Sequence, residues 1–250
     1  MIKTDILIIG AGPTGLFTVF EAGLLKMKCH ILDSLTQPGG QCIELYPKKP
    51  IYDIPGYPEI IAGDLIENLL EQIKPFQPSY TLGETALNLD KLDDGSFKVT
   101  TDKGTEILAK IIAIAGGLGT FTPRKPNISN ISDYENKGIL YMIKDPSEFK
   151  DKKVVIAGGG DSALDWSIQL SKISKKVILI HRRNEFRGAD DSVASVQKLK
   201  DLGKIDVITP AQVEKLNGKS RLESIIIDVD GNKSKIETDY FIPLFGLVPK

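Results

Sequence analysis

The chain carries the same unit twice, TDILIIGAGPTGL at 4–16 and KKVVIAGGGDSAL at 152–164. In each copy a short apolar, β-branched run, Ile6 to Ile9 and Val154 to Ile156, leads into glycines and then into a helical pattern. Continuous apolar strands of this kind are buried on both faces, as in parallel sheets. A strand, a glycine turn and a helix form the first half of a nucleotide-binding βαβ unit. Two such units in 250 residues set the expected fold class as α/β, with two Rossmann-like dinucleotide-binding domains over 1–117 and 118–250.

The remaining segments fit that plan. KCHILD (28–33) reads as a second strand, and QPGGQCIELYPKKPIYDIPGYP (37–58) is too rich in Gly and Pro for regular structure. Leu65, Ile66, Leu69, Leu70 and Ile73 recur at helical spacing until Pro75. Between Tyr80 and Ala115 lie strand-like runs, SFKVTT and KIIAIAGG among them, with the acidic turn LDDG. GGLGTFTPRKPNI (116–128) reads as a linker. The second half then shows a helix over 161–174, the strand KVILIH, a helix near 191–202 and strands around 221–228.

Gly10, Gly12 and Gly15 complete a G-x-G-x-x-G motif. The first glycine permits the tight turn, the second lets a pyrophosphate approach the backbone, and the third lets helix and strand pack closely. The helix start offers free N–H groups and the positive end of its dipole. Asp33, at the end of the next strand, is placed to accept both ribose hydroxyls, the plainer alternative being an Asp that only ends a strand. The second motif is Gly158, Gly160 and Ala163, with Asp161 and Ser162 inside it. At the position equivalent to Asp33 it has no carboxylate but HRRNEFRG, 181–188. A ribose 2′-phosphate would be repelled by a carboxylate and favours arginine, so Arg182, Arg183 and Arg187 point to NADP rather than NAD. His181 is explained well enough as the end of a buried strand and receives no role.

Composition narrows the partners. A net charge of −1 with 26 % charged residues gives no general attraction to nucleic acid or an anionic membrane. No apolar run approaches the roughly 18 residues of a membrane span. The N-terminus reads as a first strand rather than a signal peptide, so the expected compartment is the cytoplasm. The two cysteines, Cys29 and Cys42, form neither a C-x-x-C nor a zinc pattern, and two histidines exclude a histidine-rich metal site.

The strings IIGAGPTGL, PGGQCIELYPKKPIYDIPGYP, GGLGTFTPRK, GGGDSALDW and HRRNEFRGA together resemble the two-dinucleotide-binding flavoproteins, specifically ferredoxin–NADP reductases of the thioredoxin-reductase-like type. The resemblance implies FAD in the first domain and NADP(H) in the second. It places Thr14, Asp33, Gln41, Tyr46, Ala86 and Phe121 against FAD, and Arg182, Arg183 and Arg187 against the 2′-phosphate. It also implies a homodimer and electron transfer from NADPH through FAD to ferredoxin or flavodoxin. No side-chain acid or base is demanded for hydride transfer, so no catalytic residue is named. Thioredoxin reductases carry a redox C-x-x-C shortly before the second glycine motif. The corresponding stretch here, GILYMIKDPSEFKDK, has no cysteine, so electrons are expected to leave the flavin directly.

Members of that family return from the NADP domain to the FAD domain after a string like DYFIPLFGLVPK. The sequence stops there, at Lys250, and the FAD domain is accordingly expected to be incomplete, without its C-terminal return segment. Two other readings stay open: an NADPH-dependent flavin oxidoreductase with a quinone, oxygen or external disulfide as acceptor, and a non-catalytic NADP-binding module.

Overall fold

The computed structural model describes residues 1–249; of Phe121 and Pro249 only the backbone is described. The flavin contact expected of the Phe121 side chain, and the chain end at Lys250, therefore lie outside the described residues. The chain divides into two compact units, Met1–Thr120 and Phe121–Val248.

The first unit begins with β1 (Ile2–Ile9), α1 (Pro13–Leu24), β2 (Cys29–Asp33) and the single turn α2 (Gln41–Glu44). The short strands β3 (Pro50–Ile51) and β4 (Ile60–Ile61) follow, then α3 (Ala62–Ile73), β5 (Ser79–Leu82), β6 (Ala86–Lys91), β7 (Phe97–Thr101) and β8 (Glu106–Ile114). The six long strands form one sheet in the order β5-β2-β1-β8-β7-β6. Its first four strands are parallel, with Ile6 level with Cys29 on one side and Ile111 on the other, and its last two are antiparallel.

Alternation along β1 sends side chains to two cores. Ile6 and Ile8 meet Leu16 and Val19 of α1 and Ile66 and Ile73 of α3. Leu7 packs with Leu32, Val99, Ile107 and Ala109 instead. The uninterrupted apolar run in β1 reflects burial on both faces. Pro13 opens α1, where its missing N–H costs nothing and its φ suits the helix. α3 ends at Ile73, and Pro75 continues as a turn of 3₁₀ helix over Lys74–Phe76. Edge strand β5 is keyed to β2 by buried His30, whose Nδ1 lies 2.7 Å from Ser79 Oγ and whose Nε2 lies 2.9 Å from Thr81 Oγ1.

The second unit starts with β9 (Phe121–Pro123), which forms a ribbon with the last strand. It continues through β10 (Lys153–Ala157), α4 (Asp161–Leu170), β11 (Lys176–Ile180), α5 (Asp190–Asp201) and β12 (Ile205–Ile208). Then come β13 (Gln212–Gly218), β14 (Leu222–Val229), β15 (Asn232–Glu237), β16 (Tyr240–Pro243) and β17 (Leu247–Pro249). A four-stranded parallel sheet runs β12-β11-β10-β16, and β13-β14-β15 form an antiparallel meander. Val155, Ala157, Ile178 and Ile180 of the parallel sheet pack against Leu216, Leu222, Ile225 and Ile227 of the meander.

Two sequence expectations require correction. The Gly- and Pro-rich stretch 37–58 is not wholly irregular: Gly40 at φ +56° turns the chain into α2, and Pro50–Ile51 pairs with Ile60–Ile61. The helix expected over 161–174 stops at Leu170, and the backbone closes around it through Ile173 N–H to Leu170 O at 3.1 Å and Ser174 N–H to Leu170 O at 2.8 Å.

Candidate dinucleotide sites

In the first unit, three chain segments meet beyond the C-terminal ends of β2, β1 and β8. Gly10 N–H donates to Leu32 O at 2.8 Å, Ala115 N–H to Ile9 O at 2.8 Å and Gly39 N–H to Ala11 O at 2.8 Å. From β1 the order proceeds to β2 on one side and β8 on the other, and this switch of direction is where open parallel sheets bind ligands.

The three glycines there differ in what they allow. Gly10 has φ +111°, and a Cβ on it would stand 2.6 Å from the Ala115 carbonyl carbon. A Cβ on Gly15 would overlap the carbonyl oxygen of Gly10, so the third glycine seats α1 on the turn. At Gly12 nothing lies within 4 Å of a Cβ position, which leaves its backbone open to an approaching group at the helix N-terminus.

Asp33 binds this turn itself. Its Oδ2 accepts Ala11 N–H at 2.6 Å and its Oδ1 accepts Leu35 N–H at 2.7 Å. A carboxylate offers about four lone-pair sites, so two remain for a ribose. Gln41 opens α2 beside the turn: a Cβ on Gly40 would be 3.0 Å from Gly12 Cα, and one on Gly117 would be 3.7 Å from Gln41 Nε2. Tyr46 is half-buried one turn further, and burial beside Cys42 pushes its hydroxyl pKa up to about 12. Burial likewise pushes the Cys42 thiol up. Thr14 is exposed in the first turn of α1. Ala86 opens β6 two residues after Glu84, whose N–H donates to Asp33 O at 3.2 Å, and packs against the Leu7–Leu32 core. The structure thus brings Gly10, Gly12, Gly15, Asp33 and Gln41 to one turn, with Thr14 and Ala86 on adjoining segments.

In the second unit the same arrangement recurs. A Cβ on Gly158 would stand 2.7 Å from Leu244 O and 2.8 Å from the Cβ of buried Ala163, while Gly160, at the start of α4, has open space. Asp161 and Ser162 are exposed in the first turn. The arginine loop follows β11 and is tied to this turn. Arg187 N–H donates to Gly159 O at 2.6 Å, and Asp161 Oδ1 accepts Ala189 N–H at 2.7 Å. Arg182, Arg183 and Arg187 are all exposed, and among the described residues none of them forms an ion pair. They follow the end of β11 on a loop whose Arg187 and Ala189 amides dock on the turn that opens α4, and three exposed positive charges on such a loop suit an anion.

Elsewhere in the second unit a cleft of about 370 Å³ is lined by Lys125, Glu135, Tyr141 and Phe149, among others. Three of its polar groups pair with one another: Tyr141 O–H and Lys125 Nζ each donate to Glu135 Oε1 at 2.6 Å. Cys29 and Cys42 are both free and buried, and the described residues hold no cluster suited to a metal ion. No helix among the described residues is long and apolar enough to cross a membrane.

Two glycine turns at parallel-sheet ends, each opening a helix, give the chain two Rossmann-like units. Residues 4–250 match the model of the pyridine nucleotide-disulphide oxidoreductase family, and the chain belongs to that family. It is 67 % identical over 250 residues to a ferredoxin–NADP reductase of Flavobacterium johnsoniae, covering 100 % of this chain and 71 % of that relative. It is 49 % identical over 249 residues to a ferredoxin–NADP reductase of Rickettsia rickettsii, covering 99 % of this chain and 73 % of the relative. Among solved structures it resembles T. acidophilum thioredoxin reductase, with a TM-score of 0.83 at 25 % identity over 100 % of this chain and 79 % of the other.

Proposed function

We propose that this protein is a flavoprotein reductase that passes electrons from NADPH through FAD to ferredoxin. The observation that carries the reading is the arginine loop. Three exposed, unpaired guanidiniums stand where a carboxylate would select a free ribose 2′-hydroxyl, and the two relatives named above are ferredoxin–NADP reductases. Both glycine turns fit a pyrophosphate, since Gly12 and Gly160 leave open backbone where a side chain would intrude.

FAD held at the first glycine turn would supply hydride acceptance from NADPH and one-electron release to an iron–sulfur partner. The chain's own residues bind and orient. Gly10, Gly12, Thr14 and Gly15 cradle the flavin nucleotide's phosphates, Asp33 its ribose, and Gln41, Tyr46 and Ala86 flank it. Gly158, Gly160, Asp161, Ser162 and Ala163 form the NADP turn, and Arg182, Arg183 and Arg187 hold the 2′-phosphate. In this reading residues 1–117 serve FAD and 118–250 serve NADP. Flavodoxin as an alternative acceptor and a homodimer follow from the family resemblance.

Both cysteines are buried and neither lies in a C-x-x-C, which supports direct electron exit from the flavin. The test is NADPH-driven reduction of ferredoxin by the purified yellow protein, with Arg182→Ala/Arg183→Ala beside it. The double replacement is expected to raise KM for NADPH far more than for NADH. Equal effects on both cofactors, or turnover of quinones and oxygen with ferredoxin inert, would overturn the reading.

A further inference from the structure

His181 is buried to 6 % exposure at the end of β11, directly before the arginines, and its Nε2 has no hydrogen-bond partner among the described residues. Orphaned buried nitrogens are uncommon and call for a reason. The ring is wedged between two elements. On one side it abuts Gly159, where an added Cβ would stand 2.5 Å from both Nδ1 and Nε2. On the other it stacks on Phe186, with centroids 5.5 Å apart and planes at 28°. The middle glycine of GGG therefore has a purpose that the dinucleotide motif does not assign: any side chain at 159 would expel the ring.

We propose that His181 is a positioning residue for cofactor selectivity: with Phe186 it forms a wedge that props the arginine loop against the second glycine turn. The proposal rests on the reading of Arg182, Arg183 and Arg187 as the 2′-phosphate site. The turn itself is fixed without the wedge, through Gly158 N–H to Ile180 O at 3.0 Å and Leu244 N–H to Ala157 O at 2.7 Å. The loop has fewer anchors. Its bonds to Gly159 O and Asp161 Oδ1 begin only at Arg187, so the His181 ring, stacked on Phe186 and in contact with the Glu185 backbone, is what holds the stretch bearing Arg182 and Arg183. The strand end is held by His181 N–H to Ile208 O and Ala211 N–H to His181 O, at 3.2 and 2.8 Å. Burial first, and then the charges of Arg187, Arg182 and Arg183, push the imidazole pKa down, against a contact with the Glu185 backbone. A neutral ring adds no repulsion to three clustered guanidiniums.

The experiment is calorimetric binding of adenosine 2′,5′-bisphosphate and adenosine 5′-monophosphate to the purified protein, which reads the 2′-phosphate without turnover. Phe186→Ala and His181→Ala are each expected to weaken the bisphosphate about tenfold while moving the monophosphate less than about twofold, a loss of roughly 1.4 kcal/mol confined to the 2′-phosphate. Phe186→Tyr, which keeps the stack, should bind the bisphosphate as wild type does. Phe186 is only partly buried, so its variants remain informative if His181→Ala fails to fold. Wild-type selectivity in Phe186→Ala, or equal losses for both ligands, would overturn the wedge. Arg182→Ala/Arg183→Ala separates the two levels. If it also keeps wild-type selectivity, the 2′-phosphate reading itself fails; if it alone loses selectivity, only the wedge does.

Discussion

Gly158 and Gly160 stand two residues apart in one turn, yet alanine should act on them in opposite ways. At Gly160 the backbone is extended, with φ −103° and ψ 178°, and nothing lies within 4 Å of a Cβ position. Alanine there lowers the entropy of the unfolded chain, worth about 0.4–1 kcal/mol. The preference for Gly over Ala at an N-cap offsets a similar amount, on the order of 0.5 kcal/mol. The melting temperature of Gly160→Ala should then stay within about 3 °C of wild type. If the proposed site is right, the methyl group nevertheless fills the open space through which a pyrophosphate would reach the helix N–H groups. A hydrogen bond to a charged group is worth about 1.5–3 kcal/mol, so losing one should weaken NADP⁺ binding roughly 10- to 200-fold.

At Gly158 the neighbours of a Cβ are the Leu244 carbonyl oxygen, 2.7 Å away, and the Ala163 Cβ, 2.8 Å away. Neither can swing aside, because one is backbone and the other is fixed to a buried helix. Overpacking of this kind costs about 1–3 kcal/mol, which lowers the melting temperature by roughly 2–12 °C. Thermal scans and calorimetric titration with NADP⁺ on the two variants measure both quantities. A Gly160→Ala protein that binds NADP⁺ normally would refute the assignment of this turn to the pyrophosphate. A Gly158→Ala protein with unchanged melting would refute the packing analysis behind it.

Two further outcomes follow from the geometry. Burial pushes the pKa of both His30 and His181 down, so the unfolded chain binds more protons than the native one just below about pH 6.5. Stability should be full above that pH and fall as pH drops, by no more than about 1.4 kcal/mol per pH unit for each histidine; urea midpoints at pH 7.5 and 5.5 test it, and a flat profile contradicts it. Asp33→Ala removes acceptors from Ala11 N–H and Leu35 N–H and should cost about 2–3 kcal/mol together with retained flavin, read from the urea midpoint and the visible absorbance of the purified protein; an unchanged midpoint would show that these bonds do not hold the turn.

The resemblance to known flavoproteins and the glycine strings were legible because they are local. The glycines of GAGPTG and GGGDSA mark turns by backbone geometry, and the apolar runs Ile6–Ile9 and Val154–Ile156 mark strands by their length and branching. The helix α2 was missed, since PGGQC carries breaker residues whose positive-φ glycines here lead into a helical turn. The double use of Asp33, as a bond to Ala11 as well as a candidate ribose ligand, has no signature in composition or spacing. The partner of Asp161 was also hidden, because Ala189 donates through its backbone and any residue but proline could do so.

By itself the sequence determined the two α/β units, the places where backbone must stay bare, and the positive charge at the end of β11. These are set by torsional freedom and by short-range periodicity, which act within a few residues. Tertiary structure alone decided that Gly159 makes room for His181, that Phe186 closes over it, and that the Arg187 and Ala189 amides dock on the turn. Apart from the His181–Phe186 stack, those contacts join residues some 20 or more positions apart in the chain, and packing between distant segments depends on how the sheet and helices come together, which no local pattern records.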